Sequence, residues 1–252
     1  MKKLMKKWII LALIAVIAIF GATTIWAVKA KQSNVVNIKE TPPLKTRQVA
    51  LQKDSPILPK SKLLDVPLIN QMDKPKLYNG CEIASLAMIM NYHGVKVTKN
   101  ELAKKIKRVP LTYPNGQKGN PNAGFVGNME TGPGLGVYNG PVYELAKSYV
   151  GNKVVNLTNS PFTDLLKKVS QGLPVWIITT TQFSPVSTFK TWDTPQGKIK
   201  ITFNEHSVAI TGYDEKYIYI NDPYGVKNRK CERKRFIEAW KQMGSQAIVI
   251  EK

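Results

Sequence analysis

The order of the periodic segments constrains the fold of this chain more than any other feature. Apolar residues recur at helical spacing between positions 81 and 92, where Ile83, Leu86, Ala87 and Met90 form one stripe. Further helices are predicted at 98–107, 141–149, 161–171 and 234–243, and strands at 173–180, 206–211, 217–222 and 247–250. Residues 66–69 are predicted to be a short apolar strand or an extended entry to the domain. Helices that precede a group of neighbouring strands are typical of an α+β fold with an antiparallel sheet.

Local signals mark several of the helix boundaries. Gly94 is placed to end the first helix, because glycine readily adopts the left-handed conformation that follows a helix. Thr98 and Glu101 have the spacing of a capping box, in which each side chain satisfies a free backbone amide of the other residue. Ser160 is the predicted cap of the 161–171 helix, and Gly172 is its predicted stop.

Residues 109–140 are rich in glycine, proline and asparagine. They do not form a phosphate-binding loop, because the lysine and the serine or threonine that should follow the glycines are missing. Loops of this length within a folded domain usually have a function or are disordered. We therefore expect this segment to border a functional site.

The N-terminus has the pattern of a membrane anchor. Four lysines within the first seven residues precede Trp8–Val28, a run of 21 residues without a charge. Such a run is long enough to cross about 30 Å of hydrocarbon, and the lysines favour a cytoplasmic N-terminus. We expect a single-pass membrane protein with an extracellular catalytic domain. A cleaved signal peptide is the alternative, since Val28 and Ala30 offer small residues at cleavage spacing, and the protein would then be secreted.

These patterns divide the chain into three parts. Residues 1–29 comprise the cytoplasmic lysines and the transmembrane signal-anchor, residues 30–62 form a polar, flexible stalk, and residues 63–252 form the main domain.

The net charge of +20 does not indicate a nucleic-acid-binding protein. Residues 1–60 contain 11 Lys and Arg against 2 acidic residues, which leaves 26 against 15 for the rest of the chain. These cations are dispersed and mostly lysines, and no basic run alternates with aromatic residues. We expect no nucleic-acid partner. Anionic polymers of the cell envelope are a more natural partner for a basic exported protein.

Cys81 is the candidate nucleophile. It begins the first predicted helix, where the helix dipole favours a thiolate. A strand pair joined by a two- or three-residue turn would place His206 and Asp222 at facing or nearly facing positions. The carboxylate of Asp222 could then orient one ring nitrogen of His206 and leave the other free to exchange a proton with Cys81.

Other polar residues of the chain are candidates for the same chemistry. Gln71, on the loop ahead of Cys81, can donate its side-chain amide to an oxyanion, together with the backbone N–H of Cys81. His93 lies beside the other end of the first helix and is not assigned to catalysis. With no other histidine and no paired-cysteine motif, zinc ligands are lacking, and we expect no metal and no cofactor.

The motifs that surround these residues resemble those of the stand-alone C39-like cysteine peptidases of Gram-positive bacteria, relatives of the bacteriocin-leader peptidase domains. The resemblance covers about residues 63–252, and its motifs occur in the order of the family. They are Val66–Gln71, Asn79–Ser85, Phe125–Asn128, Gly136–Tyr138, His206–Tyr213 and Asn221–Pro223.

The resemblance implies a papain-like α+β fold and a peptidase acting on a peptide or protein substrate. It implies that Cys81 is the nucleophile, His206 the base, Asp222 the residue that orients His206, and Gln71 the oxyanion donor. It does not imply a substrate, because the better-known relatives cut after paired glycines beside a transporter and this chain has no transporter segments.

Three alternatives stay open at this point. The chain could be a catalytically silent envelope-binding protein with the same fold, or a transglutaminase-like acyl transferase that uses the same three residues. A disulfide between Cys81 and Cys231 would exclude both forms of thiol catalysis. Cys231 lies in a charged stretch, which indicates a solvated, incidental thiol.

Overall fold

The structure is a computed structural model that describes residues 58–252. The predicted membrane segment and most of the predicted stalk lie outside these residues. None of the helices formed by residues 58–252 has the length and apolar character needed to cross a bilayer.

A seven-stranded sheet, in which every pairing is antiparallel, forms the centre of the fold. The strands are β1 (Lys62–Leu63), β2 (Arg108–Val109), β3 (Phe125–Val126), β4 (Val154–Asn156), β5 (Val175–Thr180), β6 (Lys190–Thr194), β7 (Gly197–Ile201), β8 (Glu205–Tyr213), β9 (Tyr217–Asp222), β10 (Val226–Glu232) and β11 (Ala247–Ile250). The main sheet has the order β10-β9-β8-β5-β11-β4, and β1 also pairs with β8, whereas β2 pairs with β3 and β6 with β7 in two small sheets.

Five α-helices of residues 58–252 accompany the sheet. They are α1 (Cys81–Tyr92), α2 (Lys99–Lys105), α3 (Asn139–Val150), α4 (Phe162–Ser170) and α5 (Arg233–Gln242). The capping box predicted for Thr98 and Glu101 is present at the start of α2. The cap predicted at Ser160 is wrong: α4 begins one residue later, with Pro161 in the cap position and no side-chain capping bond.

Helix α1 is buried around its whole circumference rather than along a single stripe. Every residue from Cys81 to Met90 is buried, because α1 contacts β5 and β8 on one side and helices α2 and α3 on others. The hydroxyl of Ser85 donates to the carbonyl of Ser207 at 3.0 Å, and the indole of Trp176 donates to the carbonyl of Glu82 at 2.9 Å. These two bonds fix the start of α1 against the middle of the sheet.

The prediction that Cys231 is a solvated thiol in a charged stretch is wrong. The stretch forms the edge strand β10, and Cys231 is buried while most of its neighbours are exposed. An edge strand with one solvated face accepts many charged side chains, which is why its composition resembles that of a loop. Neither Cys81 nor Cys231 is in a disulfide.

Candidate active site

Cys81 occupies the first position of α1. The preceding residue, Gly80, provides no side-chain cap, so the backbone amides of the first turn have no capping side chain. Cys81 is only 7% exposed, and the backbone of Ser207 lowers the pKa of its thiol. Helix α1 packs on strand β8, where Ser207 directly follows His206 in the chain.

His206 and Asp222 form a buried pair. His206 Nε2 lies 3.0 Å from Asp222 Oδ1, and the two side chains are each 2% exposed. The pairing of Ala209 with Asn221 makes the two residues diagonal neighbours on one face of the sheet, so they do not face each other directly. The register of the β8–β9 hairpin shifts between Ile210 and Gly212, so the pairing near His206 differs from the pairing near the turn. Because Nε2 is held by Asp222, Nδ1 is the ring nitrogen available for proton exchange.

Two aromatic rings pack near the imidazole of His206. The ring of Tyr224 stacks on His206 with centroids 5.2 Å apart and an interplanar angle of 18°, and the ring of Phe183 lies 5.9 Å away. Arg229 lies over Phe183 at 4.7 Å and donates to Asp222 Oδ2 at 3.1 Å. The pair is thereby fixed in orientation, which a base in general acid–base catalysis requires.

The carboxyl of Asp222 is stabilised in its charged form. Burial opposes the charge, but the hydrogen bond and charge of His206, the backbone amide of Tyr224 and the charge of Arg229 together lower the pKa of Asp222. Asp222 is therefore an anion at neutral pH, as the orienting role requires.

Gln71 is buried in the loop that leads to Cys81. Its side-chain amide donates to the carbonyls of Leu77 and Tyr78 at 3.1 and 3.0 Å, and its backbone amide donates to the carbonyl of Pro223. The Oε1 atom of Gln71 is buried without a hydrogen-bond partner among the described residues. Both amide protons thus hold the loop in place, and the oxyanion role of Gln71 stays a prediction.

Two buried acids complete the surroundings of the thiol, and the sequence analysis did not identify either of them. Cys81 Sγ lies 3.2 Å from Glu82 Oε2, and the backbone N–H of Val137 donates to Glu82 Oε1 at 2.6 Å. Glu205, at the start of β8, is 8% exposed, and its Oε1 atom has no partner among the described residues.

Burial raises the pKa values of Glu82, Glu205 and Cys81. It raises the pKa of Glu82 to about 7, although the backbone amides of Glu82 and Val137 favour the charged form. Burial and the charge of Glu82 raise the pKa of Glu205 well above its usual range. Burial and the charges of both acids also raise the pKa of Cys81, while the Ser207 backbone lowers it.

Within residues 58–252, Cys81, Glu82 and Glu205 are the three side chains that could together bind a metal ion. One donor atom each from Cys81, Glu82 and Glu205 lie within 4.8 Å of one another. Thiolate and carboxylate are both ligands that Zn²⁺ accepts. The expectation that zinc ligands are lacking considered histidines and paired cysteines and did not include the two glutamates.

One sequence signal pointed to Glu82. It is the only charged residue of Cys81–Tyr92, and it stands next to the candidate nucleophile. A charge inside an otherwise uncharged helix is rarely buried without a specific reason. Its meeting with Glu205 depends on the packing of α1 on β8, which no local pattern predicts.

The glycine-rich segment borders this site, as expected. Gly136 has φ of +146°, and a Cβ atom there would collide with both Glu82 Oε1 and Glu205 Oε2. The position therefore requires glycine for space as well as for its backbone conformation.

Comparison with known proteins places this chain in a family. The model of the Peptidase_C39 like family matches residues 63–248. The uncharacterized protein YvpB of Bacillus subtilis (strain 168) is 60% identical over 192 residues, which are 76% of this chain and 77% of that protein. A crystal structure described as a candidate C39-like peptidase from Bacillus anthracis is 46% identical, with a TM-score of 0.74, and the match covers 77% of this chain and 98% of that chain. The family match spans most of the domain that carries Cys81, His206 and Asp222, and the chain belongs to the Peptidase_C39-like family.

Proposed function

We propose that this protein is a cysteine peptidase that hydrolyses a peptide or amide bond through an acyl-enzyme on Cys81. The observation that carries the proposal is the buried His206–Asp222 pair, with a 3.0 Å separation, whose histidine lies on the strand against which the helix that begins at Cys81 packs. A nucleophile, a base and a group that orients the base are the three components of such catalysis.

The reaction follows from the positions of these groups. His206 Nδ1 takes the thiol proton, and the Cys81 thiolate attacks the substrate carbonyl carbon to form a C–S bond. The imidazolium then gives its proton to the leaving amine, and His206 removes a proton from the water that cleaves the thioester. Asp222 keeps the imidazole in orientation throughout.

The oxyanion formed at each step needs hydrogen-bond donors. The backbone N–H of Cys81 is one of the first amides of α1, which lack partners within the helix. Gln71 would be the second donor if it turned one amide proton from the carbonyl of Leu77 or Tyr78 towards the oxyanion.

Selective alkylation of the two cysteines tests the nucleophile. In the full-length protein, iodoacetamide should modify Cys81 faster than Cys231 near neutral pH. The reason is that His206 takes the proton of Cys81 in the proposed reaction, whereas burial raises the pKa of Cys231 to about 12. His206→Ala should slow the reaction at Cys81 and leave Cys231 unchanged, and Cys81→Ala should abolish hydrolysis of a peptide library. Equal rates at the two cysteines would refute the proposal. Products in which an added amine replaces water would show acyl transfer instead of hydrolysis.

The location of the enzyme is a second part of the proposal. The uncharged run Trp8–Val28 behind four lysines supports a single-pass anchor with the peptidase domain outside the cell. Protease treatment of intact cells should then remove the domain, while the N-terminal sequence of the isolated protein should begin near Met1. A protein that begins near position 31 would instead show a cleaved signal peptide and secretion. The dispersed cations of residues 61–252 support anionic envelope polymers as further partners.

A further inference from the structure

The two glutamates beside Cys81 create an electrostatic difficulty for the proposed enzyme. A thiolate at Cys81 would lie 3.2 Å from Glu82 Oε2, and Glu205 contributes a third ionisable group within 4.8 Å. Like charges at such distances in a buried site disfavour one another strongly. The reactive thiolate is therefore compatible with these neighbours only when they are neutral.

We propose that Glu82 is a further catalytic residue, which in its neutral carboxylic-acid form donates a hydrogen bond from Oε2 to the Cys81 thiolate. The inference rests on the proposed cysteine peptidase function and extends it, since Glu82 touches the reacting sulfur.

The hydrogen bonds of Glu82 determine which oxygen carries the proton. Oε1 accepts the backbone N–H of Val137 at 2.6 Å, so it must present a lone pair. A proton on the carboxyl group is therefore placed on Oε2, the oxygen next to Cys81 Sγ. The same contact serves both states: the thiol donates to the carboxylate, or the carboxylic acid donates to the thiolate.

The proton balance of the activated state is simple. The resting site contains a thiol, a neutral imidazole and a carboxylic acid. One proton moves from Cys81 to His206 Nδ1, which gives a thiolate, an imidazolium and an unchanged carboxylic acid at Glu82. The thiolate then has an opposite charge on one side and an O–H donor on the other. A hydrogen bond to an ionised group is about twice as strong as one between neutral groups.

The other groups that face Glu82 support its neutral form. Glu205 lies on β8, and burial and the charge of Glu82 raise its pKa; an ionised Glu205 would repel an ionised Glu82 and so would also favour the neutral form of Glu82. Tyr138 precedes α3 and Tyr224 follows β9, and the pKa of each is raised by burial and, more weakly, by the acids. Among the described residues, the imidazolium of His206 is the cation that the proposed reaction forms, and it belongs to the activated pair.

Gly136 shows that the contact depends on close packing. Any side chain at this position would displace Glu82 Oε1 and Glu205 Oε2, and with them the 3.2 Å contact to the sulfur. The neighbouring N–H of Val137 is the one that fixes Glu82 Oε1. The glycine and the amide after it thus position the acid against the nucleophile.

The pH dependence of Cys81 alkylation in the full-length protein tests this role. The rate with iodoacetamide should be high near pH 6 and fall through pH 7 to 8 as Glu82 ionises, because burial raises the pKa of Glu82 to about 7. It should rise again only at alkaline pH, where the thiol itself ionises. A rate that increases steadily from pH 6 to 9 would overturn the inference.

Two variants of Glu82 separate a donor from a base. Glu82→Gln keeps an N–H donor and cannot ionise, so it should retain the pH 6 rate and lose the fall near pH 7. Glu82→Met has a similar length and no donor, and it should reduce the rate at pH 6 by roughly tenfold. If Glu82→Gln instead slows alkylation at every pH as much as Glu82→Met, Glu82 acts as the thiol base and the inference is wrong.

The same measurements distinguish this inference from the proposed function. If the wild-type Cys81 reacts no faster than Cys231, or if His206→Ala has no effect, the peptidase proposal fails. If Cys81 is fast and depends on His206, but Glu82→Gln has the wild-type pH profile, only the role of Glu82 fails. Should Glu82→Gln not fold, the wild-type pH profile alone still decides the inference.

Discussion

Two sets of buried carboxyl groups flank the thiol and imidazole, and their surroundings give them opposite properties. Asp222 contacts His206, the Tyr224 amide and Arg229, and these partners lower its pKa. Glu82 and Glu205 are buried beside a thiol with no lysine or arginine among their hydrogen-bond partners in the described residues, and burial raises the pKa of both. Groups whose environments separate their pKa values in this way are suited to different tasks. Asp222 is suited to remain charged, and we call its part of the site the charged side. Glu82 and Glu205 are suited to remain protonated, and we call their part the proton-holding side.

The largest expected effect comes from removing the charge on the first side. Asp222→Asn keeps the shape of the side chain but removes the negative partner that stabilises an imidazolium and fixes the ring orientation. Peptide hydrolysis should fall by roughly 10²–10⁴-fold. Asp65→Asn, at an exposed aspartate paired with Lys227, is the matched control and should have wild-type activity. Wild-type hydrolysis by Asp222→Asn would show that the buried pair does not orient the base.

Glu82 and Glu205 should make the free energy of unfolding depend on pH. Above the unfolded-state pKa near 4.5, the folded protein keeps protons on Glu82 and Glu205 that the unfolded chain releases. The free energy of unfolding should therefore decrease as pH rises from 5 to 7 on account of these groups. Asp222 has the opposite sign, because its contribution is present above 3.8 and is lost as pH falls through its lowered pKa.

Glu205→Gln isolates one of these contributions. The variant cannot release a proton in either state, so it should weaken the pH dependence of the free energy of unfolding by about 1 kcal/mol per pH unit between pH 5 and 7. Urea unfolding at several pH values measures this slope. Glu215→Gln, at an exposed glutamate, is the control. Identical slopes for Glu205→Gln and the wild type would mean that Glu205 is ionised in the folded state.

The sequence was sufficient to predict the elements that carry the charged side of the site. Helix α1 begins at Cys81 and β9 ends at Asp222, as expected, because each has an uninterrupted pattern of its own period. The diagonal relation of His206 and Asp222 was not predictable, since it depends on the register shift between Ile210 and Gly212.

The proton-holding side could not be derived from local patterns. Glu82 and Glu205 are far apart in sequence, and they meet because α1 packs on β8 and because Gly136 leaves room for both. Two further strands, β6 and β7, were also missed. They form a hairpin outside the main sheet. The exposed charged residues of this hairpin obscure the alternation of apolar and polar residues that would indicate a strand.

The smallest expected effect comes from the cation that completes the charged side. Arg229 Nη1 lies 3.1 Å from Asp222 Oδ2, but its side chain is 46% exposed, and its charge is the weakest of the influences that lower the pKa of Asp222. A partly solvated ion pair contributes about 0.2–1 kcal/mol. Arg229→Gln should therefore reduce the alkylation rate of Cys81 by roughly two- to fivefold. Lys230→Gln removes the same charge from the next position of β10, where the side chain lies over Tyr217 and Tyr219, and should have no effect. If both variants slow alkylation equally, the general positive charge of β10 matters and the contact with Asp222 does not.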